Sequence, residues 1–352
     1  MRRSVHPETG PGTPSRDPAA HTPASAGTKG EAAREMAARG TTAGSADRSG
    51  PADLPPNEAP AGAPRHTRSD TSPLRVGLVQ LCVSDDPQAN LLETCALIRE
   101  AAAAGASWVL TPEATNLLNA DRETQERVLR PEAQDPTLAA LRDQARALGI
   151  WLLIGSLSLK TDDPTEPRFA NRSFLIAPDG RIMARYDKLH MFDVTVSDSE
   201  SYRESAAFRP GDRAVLAAGP WPVGMSICYD LRFPGLYRDL AQAGAQVLTV
   251  PAAFNDTTGA AHWEVLLRAR AIETGSYVLA PAQCGQHPNL LCPDRKPRRS
   301  HGHSLAVDPW GRVLADGGKE RGVTLVELDP AAVVGARSRI PSLSHDRAYL
   351  GP

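Results

Sequence analysis

From residue 74 onward the chain alternates short apolar runs with longer segments of helical spacing. Arg75 to Leu81 is apolar at Val76, Leu78, Val79 and Leu81 and predicts a buried strand. Asn90 to Ala104 carries Leu91, Leu92, Cys95, Leu97 and Ile98 at helical spacing, and Gly105 ends it. Ser107 to Thr111 predicts a second strand. Pro136 to Leu148 predicts a helix opened by a first-turn proline and stopped by Gly149. Further strands are expected at 150–154, 171–176, 181–187, 221–227, 246–250, 277–282, 303–307, 312–315 and 323–327, with helices at 233–243 and 261–274. Strands alternating with helices predict an α/β protein, a β core covered by helices.

One stretch echoes another. Ala104-Gly105-Ala106-Ser107-Trp108-Val109-Leu110-Thr111-Pro112 and Ala243-Gly244-Ala245-Gln246-Val247-Leu248-Thr249-Val250-Pro251 both read helix end, glycine, strand, proline. The echo suggests two related halves.

The first 72 residues differ in kind. Val5 and Leu54 are the sole aliphatic side chains larger than alanine in the first 70, and Phe, Trp and Tyr are absent. Such a segment cannot bury enough apolar surface to offset the entropy of ordering, so 1–72 is expected to be a disordered tail and 73–352 the folded domain. Of the chain's 39 Lys+Arg and 41 Asp+Glu, the first 70 residues hold 9 and 8. Both parts are therefore close to neutral, which argues against nucleic-acid and anionic-membrane partners. No apolar run approaches the roughly 18 residues of a membrane span. The cysteines Cys82, Cys95, Cys228, Cys284 and Cys292 form no paired metal or redox spacing, which points to free thiols, a cytoplasmic location and no metal or cofactor.

Three residues stand just past predicted strand ends: Glu113, Lys188 and Cys228. In α/β sheets that edge is where sites form. Cys228 occupies a strand-to-helix turn, where a helix N-terminus favours a thiolate. A carboxylate can take a thiol proton, and an ammonium can stabilise an oxyanion. Each residue alone has a plainer alternative: a helix-capping Glu113, a solvated Lys188, a core Cys228.

The flanking residues decide more. Thr111-Pro112-Glu113-Ala114, Tyr186-Asp187-Lys188-Leu189-His190-Met191-Phe192-Asp193 and Ile227-Cys228-Tyr229-Asp230-Leu231-Arg232-Phe233-Pro234 together resemble the nitrilase, or carbon–nitrogen hydrolase, superfamily, in order and in sequence. The resemblance implies a four-layer αββα sandwich. It implies Glu113 as general base, Lys188 as oxyanion stabiliser, Cys228 as acylated nucleophile, the Tyr229 N–H as a second oxyanion donor and Glu204 as the second active-site glutamate. Residues 257–273, Ala282-Gln283-Cys284-Gly285 and 302–311 resemble the deaminated glutathione amidase branch, with Phe254 and Thr258 at substrate-lining positions and Arg232 suited to a substrate carboxylate. The implied partner is a small-molecule amide, and the family implies a dimer or larger homo-oligomer. Rivals are an ω-amidase, an N-carbamoyl amidohydrolase, a silent binding scaffold and a thiol-redox protein. The segment 286–300, with Arg295, Arg298 and Arg299, is longer than the matching loop of the branch and is expected near the pocket mouth.

Overall fold

The computed structural model describes residues 73–118, 121–198 and 200–351. The expected tail at 1–72 lies outside the described residues. Two mixed sheets dominate. The first runs, edge to edge, Gly322–Leu328, Leu74–Gln80, Trp108–Leu110, Trp151–Leu159, Phe169–Ile176 and Ile182–Asp187, with Phe208–Arg209 beside Phe169–Ile176. The second runs Val313–Asp316, Leu305–Val307, Tyr277–Ala280, Val247–Thr249, Pro222–Met225 and Val215–Ala218.

Side-chain alternation assigns the layers. Val76, Leu78, Trp108, Leu110 and Leu153 share one apolar cluster with Val223, Met225, Val247 and Val278 of the second sheet. Val79, Val109, Leu152 and Ile154 point the other way, into a cluster with Ile98 of Pro87–Ala103 and Leu141 of Pro136–Leu148. Leu236, Trp263 and Leu267, from Pro234–Gln242 and Asp256–Thr274, cover the outer side of the second sheet. The order is helices, sheet, sheet, helices: the αββα sandwich.

The sequence echo has a structural counterpart. In each sheet three strands run parallel, and the middle one is an echo strand, Trp108–Leu110 or Val247–Thr249. Gly105 and Gly244, the echo glycines, sit at φ +89° and +109°, a region open to glycine at little cost.

Several boundaries move. The helix read from Asn90 begins at Pro87 and buries Asn90, Thr94, Ile98 and Ala101, while Leu92 is exposed. Its inward Asn90 is held by Ser84 and Asn116, so tertiary hydrogen bonds override the apolar pattern. The helix read from Ala261 begins at Asp256, capped by the Asn255 side chain. Arg122–Val128, Pro330–Arg339 and the hairpins 193–203 and 284–301 carry no clear periodicity and were not anticipated. No helix among the described residues is long and apolar enough to cross a membrane.

Candidate active site

Strand direction brings the site residues to one edge. Glu113 follows Trp108–Leu110. Ile182–Asp187 is antiparallel to Phe169–Ile176, itself antiparallel to Trp151–Leu159, so Lys188 leaves the sheet at the same edge as Glu113. Cys228 follows Pro222–Met225 of the facing sheet.

Lys188 is the hub. Its Nζ donates to Glu113 Oε1 at 2.9 Å and to Glu204 Oε1 and Oε2 at 3.0 and 2.8 Å. Glu113 Oε2 accepts the Ala253 N–H at 2.7 Å, and Glu204 Oε2 accepts the Phe192 N–H at 2.7 Å. Asn171 Nδ2 bridges the two carboxylates, at 2.9 Å to Glu113 and 3.3 Å to Glu204. Glu113, Lys188 and Cys228 are all buried.

Burial alone would raise the Glu113 pKa. The adjacent Lys188 charge and hydrogen bond, the Ala253 N–H and the Arg298 charge outweigh it and hold the carboxyl below its ordinary value. Burial likewise works against the Lys188 ammonium, but Glu113, Glu204 and Cys228 hold it above its ordinary range. The Cys228 thiol is pushed well up, first by burial and then by the Glu113 charge, with Lys188 opposing. The resting site is therefore carboxylate, ammonium and thiol.

The strand-to-helix turn and the helix expected at 233–243 are present, the helix as Pro234–Gln242. Between Cys228 and that helix lies a 3₁₀ segment, Cys228–Arg232, which the sequence reading did not include. Without a helix N-terminus beneath it, and buried beside a carboxylate, the thiol keeps its proton. The turn is nonetheless sharp. Cys228 has φ +49°, a left-handed conformation costly for a residue with a Cβ. Its own N–H donates to the Pro251 carbonyl at 2.9 Å, so it is committed. The Tyr229 N–H lies in the first turn, where an N–H has no intrahelical acceptor.

Asp230 locks this turn onto the lysine loop. Its buried carboxylate accepts the Ile227 N–H at 2.9 Å, the His190 N–H at 3.0 Å and the Tyr186 hydroxyl at 2.6 Å. The residue before Cys228 and the one two past Lys188 are thus tied to one side chain.

Glu113, Lys188, Glu204, Cys228, Tyr229, Phe254 and Thr258 line one cavity of about 300 Å³, at the low end of the roughly 300–1,000 Å³ common for small-molecule sites. Arg232 is not among the lining residues. It stands behind two walls, its guanidinium 5.8 Å from the Tyr229 ring centroid and 5.4 Å from that of Phe254, with both Nη atoms 3.3 Å from His262 Nδ1. It pairs with neither Asp230 nor Asp239. Among the described residues no group of three or more His, Cys, Asp or Glu side chains is placed to hold a metal ion.

Sequence reasoning missed Asn171, Ala253 and Gln283, whereas the 286–300 loop expected near the pocket mouth does bring Arg295 and Arg298 to the cavity. Gln283 Nε2 donates to the Glu113 carbonyl at 3.0 Å, and its place in the quoted Ala-Gln-Cys-Gly run was the available signal. Asn171 gave none beyond a polar residue opening a strand. The long loop is anchored. Asp85 Oδ1 accepts the N–H groups of Leu290 and Leu291 and Oδ2 that of Cys292, while His287 bridges Val83 and Ser300. It delivers Arg295 and Arg298 to the cavity wall.

The carbon–nitrogen hydrolase family model matches residues 75–338. The chain belongs to the carbon–nitrogen hydrolase family. A deaminated glutathione amidase of Yersinia enterocolitica is 36% identical over 274 residues, covering 77% of this chain and 92% of that protein. The mouse protein named Omega-amidase NIT2 is 35% identical over 283 residues, covering 79% and 97%. The crystal structure of the C. elegans NitFhit protein superposes with a TM-score of 0.71 at 34% identity, covering 79% of this chain and 66% of that one.

Proposed function

We propose that this carbon–nitrogen hydrolase is an amidase of 2-oxo acid amides, with deaminated glutathione as the substrate that fits best. The products are 2-oxoglutarate and cysteinylglycine, and the role is metabolite repair. The observation that carries the reading is the cluster of buried Glu113 and Lys188 with half-buried Glu204, lining one cavity with the Cys228 thiol, in a chain similar along most of its length to proteins named deaminated glutathione amidase.

Glu113 takes the thiol proton as Cys228 Sγ attacks the amide carbonyl, because it is already ionised while the thiol is not. The oxyanion is held by Lys188 and the Tyr229 N–H. Lys188 gives its protons to the two carboxylates at rest, so the oxyanion competes for the one shared across Glu204. The amine leaves with a proton from Glu113. Water, deprotonated by a carboxylate of the cluster, then releases the acid and restores the thiol. The pocket suits a polar anion. The buried Asn171 Oδ1, Thr258 Oγ1 and Arg298 Nε lack a protein partner, and all three belong to lining residues. Arg232, expected to meet a substrate carboxylate, is not among the cavity-lining residues and acts at most as a positive charge behind Tyr229 and Phe254.

The test is product release from deaminated glutathione and from 2-oxoglutaramate by the purified protein, with Cys228→Ser as control. Preference for the first supports the reading. Preference for the second supports an ω-amidase, the reading favoured by the mouse relative. Full activity of the control ends both. We also expect a cytoplasmic dimer or larger assembly, which light scattering on the eluted protein tests.

A further inference from the structure

We infer that Arg298 anchors a carboxylate on the amine side of the scissile bond, so that this pocket selects amides whose leaving amine is itself an acid. The inference rests on the amidase reading above and names the substrate feature that reading leaves open.

Arg298 comes from the anchored 286–300 loop and lines the cavity. Its Nη2 donates to the Ala253 carbonyl at 2.7 Å, and its guanidinium carbon lies 5.5 Å from the Tyr202 ring centroid. Its Nε is buried with no acceptor. Three other partly buried guanidinium groups are matched to carboxylates, Arg172 to Glu132 and Asp187, Arg209 to Asp187 and Arg270 to Glu273, and Arg337, which has none, has its Nε and Nη2 donating to carbonyls and a hydroxyl. Arg298 and Arg295 have no ion pair among the described residues. A cation with a desolvated, unmatched N–H in a cavity is a group awaiting an anion.

The charge balance of the wall agrees. Lys188 stands between Glu113 and Glu204, while Arg203, Arg295 and Arg298 line the same cavity with no carboxylate bound to them. An anion placed away from the reacting carbonyl meets net positive charge.

The side follows from connectivity. The Ala253 N–H binds Glu113 Oε2, and the Ala253 carbonyl binds Arg298 Nη2. Two hydrogen bonds and one residue separate the carboxylate that receives the thiol proton from the guanidinium, a span of at most about 8–9 Å. The departing nitrogen must face Glu113 to collect that proton. A carboxylate several bonds beyond the nitrogen, as in cysteinylglycine, then lies within reach of Arg298.

Two substrates with the same acyl group separate this from a general role. Deaminated glutathione carries an amine-side carboxylate, and 2-oxoglutaramate does not. Arg298→Gln should lower kcat/KM for deaminated glutathione roughly 10–100-fold, mostly through KM, the loss of one charge-assisted bidentate contact. Whatever the change costs through Glu113 falls on both substrates alike, so the loss should be at least about tenfold larger for deaminated glutathione than for 2-oxoglutaramate, and Arg298→Lys should recover part of the difference, a lysine supplying charge without the fork. Equal losses on both substrates would assign Arg298 to Glu113 instead, and no loss on either would remove it from binding. A wild-type experiment needs no folded variant: cysteinylglycine should inhibit 2-oxoglutaramate hydrolysis, and its C-terminal amide should inhibit at least about tenfold less. Equal inhibition overturns the anchor. Wild-type protein that hydrolyses neither amide overturns the amidase reading itself.

Discussion

Replacing Lys188 by methionine tests the charge cluster more directly than any other change. The lysine is 2% exposed and is the one ammonium bonded to both Glu113 and Glu204. Methionine fills similar volume, so what is lost is the charge. Removing one partner of a buried ion pair costs about 3–5 kcal/mol, because the other charge stays buried without compensation. For a body of this size about 1 kcal/mol moves the thermal midpoint by roughly 2–3 °C, so the expected fall at neutral pH is about 6–15 °C.

The pH dependence gives the sign. In the wild type the Glu113 pKa is depressed below its ordinary 4.5, so its contribution is present above that pH and is lost as pH falls through the folded value. The Lys188 pKa is raised above its ordinary 10.5, so its contribution is complete below 10.5 and lost only as pH rises beyond it. Without the ammonium, burial, the largest influence on Glu113, dominates and favours the protonated acid. The variant should therefore be relatively more stable in acid, and the gap between the two proteins should be full at pH 7 and close toward pH 4.5. Thermal melts of both proteins across that range read it. A variant as stable as the parent at pH 7, or a gap independent of pH, would refute the charge-cluster account. Turnover should fall by roughly 10²–10³ or more with loss of an oxyanion donor.

The pH profile of kcat/KM should be level from pH 9.0 down past the ordinary carboxylate value of 4.5, since Glu113 must be ionised and is held low while the Cys228 thiol is pushed above 9.0. Initial rates in a three-component buffer check this, and an acid limb near pH 6 would contradict it. Gly155→Ala should lower the thermal midpoint and activity together. The added Cβ would sit 2.1 Å from the Thr111 carbonyl and 2.5 Å from that of Pro112, backbone that leads into Glu113, and such overpacking costs about 1–3 kcal/mol or more. Gly235→Ala is its control: a Cβ there meets nothing within 4 Å, so the midpoint should hold or rise slightly.

The residues that meet in the cavity were legible because each stands after a strand and inside a distinctive run: Glu113 behind Thr111-Pro112, Lys188 behind Tyr186-Asp187, Cys228 behind Ile227. What surrounds them was not. Asn171 is neighbour to Glu113 and Glu204 only because Phe169–Ile176 runs antiparallel, a fact of topology with no local signature. The raised thiol of Cys228 was not legible either, because its first cause is burial, and the 3₁₀ segment that keeps the α-helix N-terminus away has no signature in the spacing.

The raised thiol bears on how the site works. A thiolate prepared in advance would be reactive toward any electrophile entering the cavity. Here the thiol is held by burial and by Glu113, so nucleophilicity appears only when the proton has somewhere to go and the new charge has a donor to meet it. In the proposed mechanism Glu113, second to burial in raising the thiol, is also the acceptor of its proton. Lys188 favours the ionised Glu113, and Glu204 offers Lys188 a second carboxylate. Selectivity then lies in what brings a carbonyl to Sγ at the correct angle. Among the described residues five buried side-chain polar atoms lack a partner, and three of them, Arg298 Nε, Thr258 Oγ1 and Asn171 Oδ1, belong to residues of the cavity lining, where a bound substrate can satisfy them.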